Sequence, residues 1–302
     1  MRRLIINADG YGFTEGITRA IEECVDFGTV RSLSANVNFP AAERLRQLVS
    51  KHPDISIGCH LNPIVGRPLL PPDRVPSLVD ARGEFHYREF AKRFRARRIR
   101  LEELKAELFA QIDRTRHLAG ACFSHVDFHM GLHRLPRLYP VFLAVAEASG
   151  TGRIRTHRYL AGMESSHPRL RHAAYLFERA DRLPKYAWNL ALRWRARRRS
   201  LAMPDYWLSI SNMGRPNTIT LPNYLQMLNN LPRGVSEFVA HPAYIDDDLR
   251  RVSTYIGQRE DERLVLMSPR FREALRDPGI ELCGYRDIPI RRGGRPVSGL
   301  PR

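Results

Sequence analysis

The chain has 302 residues, 43% of them hydrophobic, which is enough to bury a sizeable core in one large α/β domain or two smaller ones. Its four cysteines form no CxxC pair, its N-terminus reaches Asp9 too soon for a signal-peptide core, and no run approaches the ~20 apolar residues of a spanning helix, so the expectation is a cytoplasmic protein without a disulfide framework. The net charge of +17 is local: residues 88–100 hold seven basic against one acidic residue, 169–200 ten against two, and 291–302 four against none, so the rest is nearly neutral.

Residues 3–8 read as a buried strand running into Asp9-Gly10-Tyr11-Gly12, whose glycines permit a tight turn with the Asp9 carboxylate at the strand's end. A helix over 14–27 follows, with Ile17, Ile21, Cys24 and Val25 on one face and Gly28 at the C-cap. Residues 30–39 and 55–62 alternate as second and third strands, the latter delivering His60, and 41–51 is a short helix between them. The Pro-rich stretch 66–84 is a long loop expected to overhang a site. An amphipathic helix spans 101–118, and residues 123–128 form a strand. Alternation along that strand puts His125, Asp127 and His129 on one face and Val126 and Phe128 on the other. A helix over 138–148 and a short strand at 153–156 carrying Arg155 come next. The basic segment 169–200, divided by Pro184, has Tyr186, Leu190 and Trp194 in one stripe with arginines interleaved. Beyond it, 221–231 is a helix, 236–242 a strand ending in His241, 268–275 a helix and 280–285 a last strand; the tail past Pro289 is expected to be poorly ordered.

One regularity joins these elements. Asp9, His60, the His125 to His129 cluster, Arg155 and His241 each fall at the carboxyl end of a predicted strand, and parallel strands that collect reactive groups at one rim describe a β/α barrel. Imidazoles that ligate a divalent metal, with a carboxylate to take the second ring N–H, suit the His and Asp cluster. Read singly, each residue also has a structural explanation. Asp9 would cap a helix, His60 would sit satisfied in the core, His241 would terminate a strand, Arg155 would brace the fold, and 246–248 would be a solvated turn.

Four motifs in order, Asn7-Ala8-Asp9-Gly10-Tyr11-Gly12, Gly58-Cys59-His60-Leu61-Asn62, Ser124-His125-Val126-Asp127-Phe128-His129 and Ala240-His241-Pro242-Ala243-Tyr244-Ile245-Asp246, resemble those of the YdjC-like carbohydrate deacetylases, which include chitooligosaccharide and hopanoid-sugar enzymes. The resemblance covers residues 4–288, extending to Gly284-Tyr285-Arg286-Asp287. It implies a NodB-like distorted β/α barrel over 1–288, with a basic helical insertion at about 165–202 and a basic tail at 289–302, and a cytoplasmic carbohydrate N-deacetylase that uses a divalent metal, zinc or magnesium. By that similarity His60 and His129, with Asp9, hold the metal. Asp9, or Asp127 if Asp9 is committed to the ion, is the general base and His241 the general acid, while Arg155, His125 and His133 are the candidates for substrate contact, Arg155 being able either to hold a substrate oxygen or to orient a carboxylate. The chain departs from the family pattern at Gly10, where a second aspartate is usual, and at Gly131, where another histidine is usual. The first departure frames the alternative reading, a catalytically impaired sugar-binding protein on the same barrel. The expected partner is an amino sugar, free or lipid-linked. The aromatic and basic segment 169–200 is a candidate for peripheral contact with an anionic membrane, homo-oligomer formation stays open, and no recognised module supports nucleic-acid binding.

Overall fold

The structure, a computed structural model, describes residues 1–210, 217–292 and 295–296. Eight parallel strands form its centre: β1 (Arg2–Tyr11), β2 (Ser32–Ala35), β3 (Ser56–Leu61), β4 (Phe123–Phe128), β5 (Tyr159–Leu160), β6 (Tyr206–Leu208), β7 (Gly234–Ala240) and β8 (Ile280–Cys283). Their order is β4-β3-β2-β1-β7-β6-β5, with β8 also paired to β1. The two ends of this row meet. Val126 on β4 bridges Ile154, and Arg153 bridges Ala202, so the segment leading into β5 runs between β4 and the segment leading into β6. The Val126 N–H donates to the Arg153 carbonyl and the Ile154 N–H to the Ala202 carbonyl, each at 3.0 Å. The result is the expected α/β class with a closed, distorted ring of parallel strands.

Between the strands run α1 (Glu15–Phe27), α2 (Leu45–Lys51), α3 (Phe90–Arg95), α4 (Leu101–Ala119), α5 (Tyr139–Ala148), α6 (Pro168–Phe177), α7 (Arg182–Arg197), α8 (Leu221–Asn229), α9 (Asp247–Val252), α10 (Gly257–Leu266) and α11 (Pro269–Ala274). Helix α1 forms where its apolar face predicts it, capped by the Thr14 hydroxyl and ended by Gly28 at φ 85°. Two large apolar clusters fill the space between strands and helices. One gathers Leu4, Ile6 and Ala8 of β1 with Ile17 and Ile21 of α1, the other Val126 and Phe128 of β4 with Leu104, Leu108 and Ile112 of α4. The four cysteines are free and buried.

Several boundaries differ from the sequence reading. β1 does not stop before Asp9. It continues to Tyr11 through a bulge at Gly10, where pairing steps from Asp9 opposite Ser34 to Tyr11 opposite Ala35 and Gly10 takes φ 101°. β2 keeps only four of its expected residues, and 153–156 pairs only through the two bridges. Helices α3 and α10 lie where no helix was predicted. The long loop after β3 is pinned rather than free, because the buried Glu107 carboxylate of α4 accepts the N–H groups of Leu69 and Leu70, both at 3.0 Å. The basic segment 165–202 supplies α6 and α7 and connects the adjacent strands β5 and β6. Most of the tail beyond 289 lies outside the described residues; within it, Arg291–Arg292 and Arg295–Pro296 pair as an antiparallel ladder.

Candidate active site

The inside of the strand ring is polar. Ser32 on β2 donates to Asn7 Oδ1 on β1 at 2.6 Å, and Asn7 Nδ2 donates to Ser34 Oγ at 2.9 Å and to Asp9 Oδ1 at 2.7 Å. Each of these groups is buried and paired within the ring, which removes the desolvation penalty that an orphan would carry.

The network converges on Arg155. Its guanidinium grips Asp9 with a two-pronged contact, Nη1 to Oδ2 and Nη2 to Oδ1, both 2.7 Å, while Nη2 also lies 2.6 Å from Asp127 Oδ2 and Nε donates to Glu237 Oε1 at 2.8 Å. Three carboxylates thus surround one buried cation. Of the two roles open to Arg155, these bonds are those of a group that orients carboxylates, while its side chain also lines the cavity. Burial works against the charged form of Asp9, but Arg155, with His60 adding, outweighs it and holds that carboxyl well below its ordinary range. Glu237 goes the other way: burial dominates Arg155 and raises it to about 7.

His125 and Asp127 alternate inward along β4 and His129, the first residue past the strand, continues their row, yet the three sit at different depths. His125 is deepest, stacked on Tyr285 at 3.7 Å and bonded to Ser124 Oγ at 2.9 Å. It does not line the cavity, so the substrate role expected for it is corrected by its burial in the floor of the ring. Asp127 is next, fully buried behind His60, accepting from His60 Nδ1 at 2.7 Å and from Ser34 at 2.9 Å. His129 is outermost and faces His60, with its Nδ1 3.2 Å from His60 Nε2. Directly after it the chain turns sharply, with Met130 at φ 54° and Gly131 at φ 61°, and a side chain on Gly131 would collide with the Arg134 guanidinium.

Above these groups opens a cavity of about 510 Å³ lined by Asp9, His60, His129, His133 and His241 among others. Burial, with His60 adding, lowers His129 to about 3, so its imidazole is neutral. His133 lines one wall beside Phe142 and His157, and neither of its ring nitrogens has a hydrogen-bond partner. His241 is held from behind: its backbone N–H donates to the fully buried Glu262 of α10, which also accepts from Tyr255 Oη at 2.7 Å.

Asp9, His60 and Asp127 each offer a ligand atom within 4.8 Å of the others, a group that could hold a metal ion. Chemistry refines which atoms are available. Asp127 occupies His60 Nδ1 and so leaves the Nε2 lone pair pointing toward His129 Nδ1, whereas Asp127 itself is enclosed by His60, Ser34 and Arg155. Asp9 Oδ2, bonded once by Arg155 and 3.9 Å from His60 Nδ1, keeps acceptor capacity. Burial works against the charged form of His60, but Asp127 and Asp9 outweigh it and raise its pKa, so a divalent ion there would displace a proton; two imidazole nitrogens with a carboxylate beside them fit such an ion. The sequence reading missed Glu237, Glu262, Asn7 and Ser34. The signal for Glu237 was an acid set among Phe238, Val239 and Ala240 in a buried strand.

Comparison with known proteins gives a consistent picture. Residues 3–277 match a family model described as YdjC-like protein. A carbohydrate deacetylase of Geobacillus stearothermophilus is 30% identical over 288 residues, covering 95% of this chain and 98% of that protein. A chitooligosaccharide deacetylase of Yersinia pestis (strain Pestoides F) is 28% identical over 289 residues, covering 94% and 98%. The crystal structure of an Enterococcus faecalis V583 protein named for cellobiose-phosphate cleavage superposes with a TM-score of 0.70 at 29% identity, over 94% of this chain and 97% of that one.

Proposed function

The chain belongs to the YdjC-like family, and from that premise we propose that it is a metal-dependent hydrolase removing an N-acetyl group from an amino sugar, free or lipid-linked. The observation that carries this reading is the approach of His60 Nε2 to His129 Nδ1, 3.2 Å apart, beside an ionised Asp9 on the cavity wall. The relatives named as carbohydrate and chitooligosaccharide deacetylases support the same substrate class. Residues 1–288 act as one catalytic body, with the segment 165–202 as its basic appendage.

His60 and His129 would hold the ion, their two imidazoles favouring zinc over magnesium on ligand softness, and Asp9 beside them would be left free to act as the base. A bound divalent ion supplies Lewis acidity, polarising the acetyl carbonyl and acidifying water. The chain's own residues do the rest. Asp127 fixes the His60 tautomer, and Arg155 keeps Asp9 charged and aimed. Asp9 takes the proton as water adds to the carbonyl carbon. The C–N bond then breaks, and the proton reaches the leaving nitrogen through His241, leaving acetate and a free amine. Burial and Arg259 lower His241 to about 3, so it rests neutral and can accept at one ring nitrogen while donating at the other.

The test is acetate release from N-acetylated chitooligosaccharides by the zinc-loaded chain, with and without chelator. Metal-dependent release that His129→Ala abolishes is expected. Retained sugar binding with no acetate from any N-acetylated sugar would favour the impaired, sugar-binding reading.

A further inference from the structure

The hairpin α6–α7 turns its apolar side the wrong way for a helix pair that belongs only to a core. Helix α7 is anchored by Leu192, Arg193 and Ala196, which are buried. On the opposite side of the same helix, Leu183, Ala187, Leu190, Ala191 and Trp194 recur at helical spacing, and all five are exposed. Helix α6 buries none of its residues, and Leu170, Ala173, Ala174 and Phe177 form a second exposed stripe. Leu170 is 70% exposed, Phe177 74% and Trp194 59%. Among the described residues, six of the ten exposed large hydrophobics fall on these two helices.

Cations flank both stripes. Residues 169–200 carry ten basic against two acidic side chains, and the two acids, Glu178 and Asp181, are each shared by two cations of the hairpin itself. Arg197 and Arg198 are exposed at the end of α7, and Arg198 lies over the Trp194 ring at 4.8 Å. The hairpin also borders the cavity. The Trp188 indole N–H donates to the Arg134 carbonyl at 2.9 Å, and Arg134 lines the cavity with Met130, which is 63% exposed.

We propose that the outward face of α6–α7 is a docking surface for an anionic lipid bilayer, set beside the mouth of the cavity. An interfacial helix joins Leu, Phe and Trp on one face to Arg and Lys that reach the headgroups, and this composition matches the stripe and its rim. A second copy of the chain would bring one cationic rim against another. A nucleic acid would answer the arginines but leave Leu170, Leu183 and Leu190 without partners.

The experiment sediments the full chain with phosphatidylcholine vesicles, with and without phosphatidylglycerol, at low and physiological salt. Expected is binding that requires phosphatidylglycerol, fades with salt, shifts tryptophan fluorescence to the blue, and is lost in Leu190→Glu/Trp194→Glu. Arg197→Glu/Arg198→Glu weakens it by about tenfold or more. Trp194→Phe keeps the binding and loses most of the blue shift, which separates docking from misfolding, and circular dichroism verifies that each variant is folded. Indifference to phosphatidylglycerol, binding that survives Leu190→Glu/Trp194→Glu, a solution dimer that those substitutions dissociate, or binding to duplex DNA without binding to vesicles would each overturn the proposal.

Discussion

At the scale of single residues, the division of labour among three acids follows from what each one touches. Asp9, held by the Arg155 fork yet open to the cavity, is the only one of the three bound to Arg155 that both keeps its charge and lines that cavity. Asp9→Asn removes the proposed base while preserving shape, so acetate release is expected to fall about 10²–10⁴-fold with the fold intact, measured as kcat on the zinc-loaded variant. Arg155→Lys retains a charge but cannot reproduce the fork, and an effect in kcat rather than in KM is expected, as its bonds to carboxylates would have it act through Asp9. Gly10 is the position where a missing aspartate framed the alternative reading. Its φ of 101° within the β1 bulge shows a backbone adapted to glycine, and an added Cβ would strain that turn although its nearest neighbour is Ile17 Cγ2 at 3.6 Å. Gly10→Ala is expected to lower stability by about 1–3 kcal/mol, read from denaturant melts.

At the scale of elements, β4 shows what alternation can and cannot deliver. Period two placed His125 and Asp127 on the inward face, with His129 just past the strand's end, but a one-dimensional pattern carries no depth, and depth separates a floor residue from an orienting acid and from a rim residue. The floor is tight: a methyl on Gly58 of β3 would lie 2.3 Å from His125 Nε2. Gly58→Ala should therefore destabilise by about 1–3 kcal/mol, seen as a lowered thermal midpoint with His60 and its chemistry left in place. Asp9, His60 and His241 were legible because each follows an apolar stretch of β1, β3 or β7, although β1 runs on past Asp9, whereas Arg155 sits in a segment paired only through isolated bridges. Helix α10 was not, since its sequence is strongly charged with few apolar residues to mark it, and with it Glu262 and the support of His241 went unseen. Glu237 was hidden for a different reason: within an apolar strand nothing in the pattern tells that one acid is matched by a buried arginine 82 positions away in the chain.

At the scale of the whole molecule, ring closure turns scattered residues into one site. It depends on backbone bridges at 153–154 that no side-chain pattern announces, so the barrel could be expected from the strand-end regularity and the motifs but its seam could not. A polar interior also writes itself into the pH dependence of stability. Burial raises Glu262 from the ordinary 4.5 to about 7. A group raised on folding contributes stability that is fully present below its unfolded value and is lost as pH rises through its folded one, so this contribution disappears between pH 4.5 and about 7. The thermal midpoint of Glu262→Gln relative to the parent chain should therefore climb across that window, and a flat difference would contradict the assignment. Among the described residues no helix is long and apolar enough to cross a membrane, and the basic hairpin beside the cavity belongs to the surface. The account as a whole depends on His60 and His129 jointly holding one divalent ion, and a zinc titration of the apo chain by calorimetry, beside His60→Ala and His129→Ala, tests it most directly. One ion per chain, with affinity collapsing in either variant, is the predicted result; a parent chain that takes up no ion, or variants that bind as tightly as the parent, would contradict it.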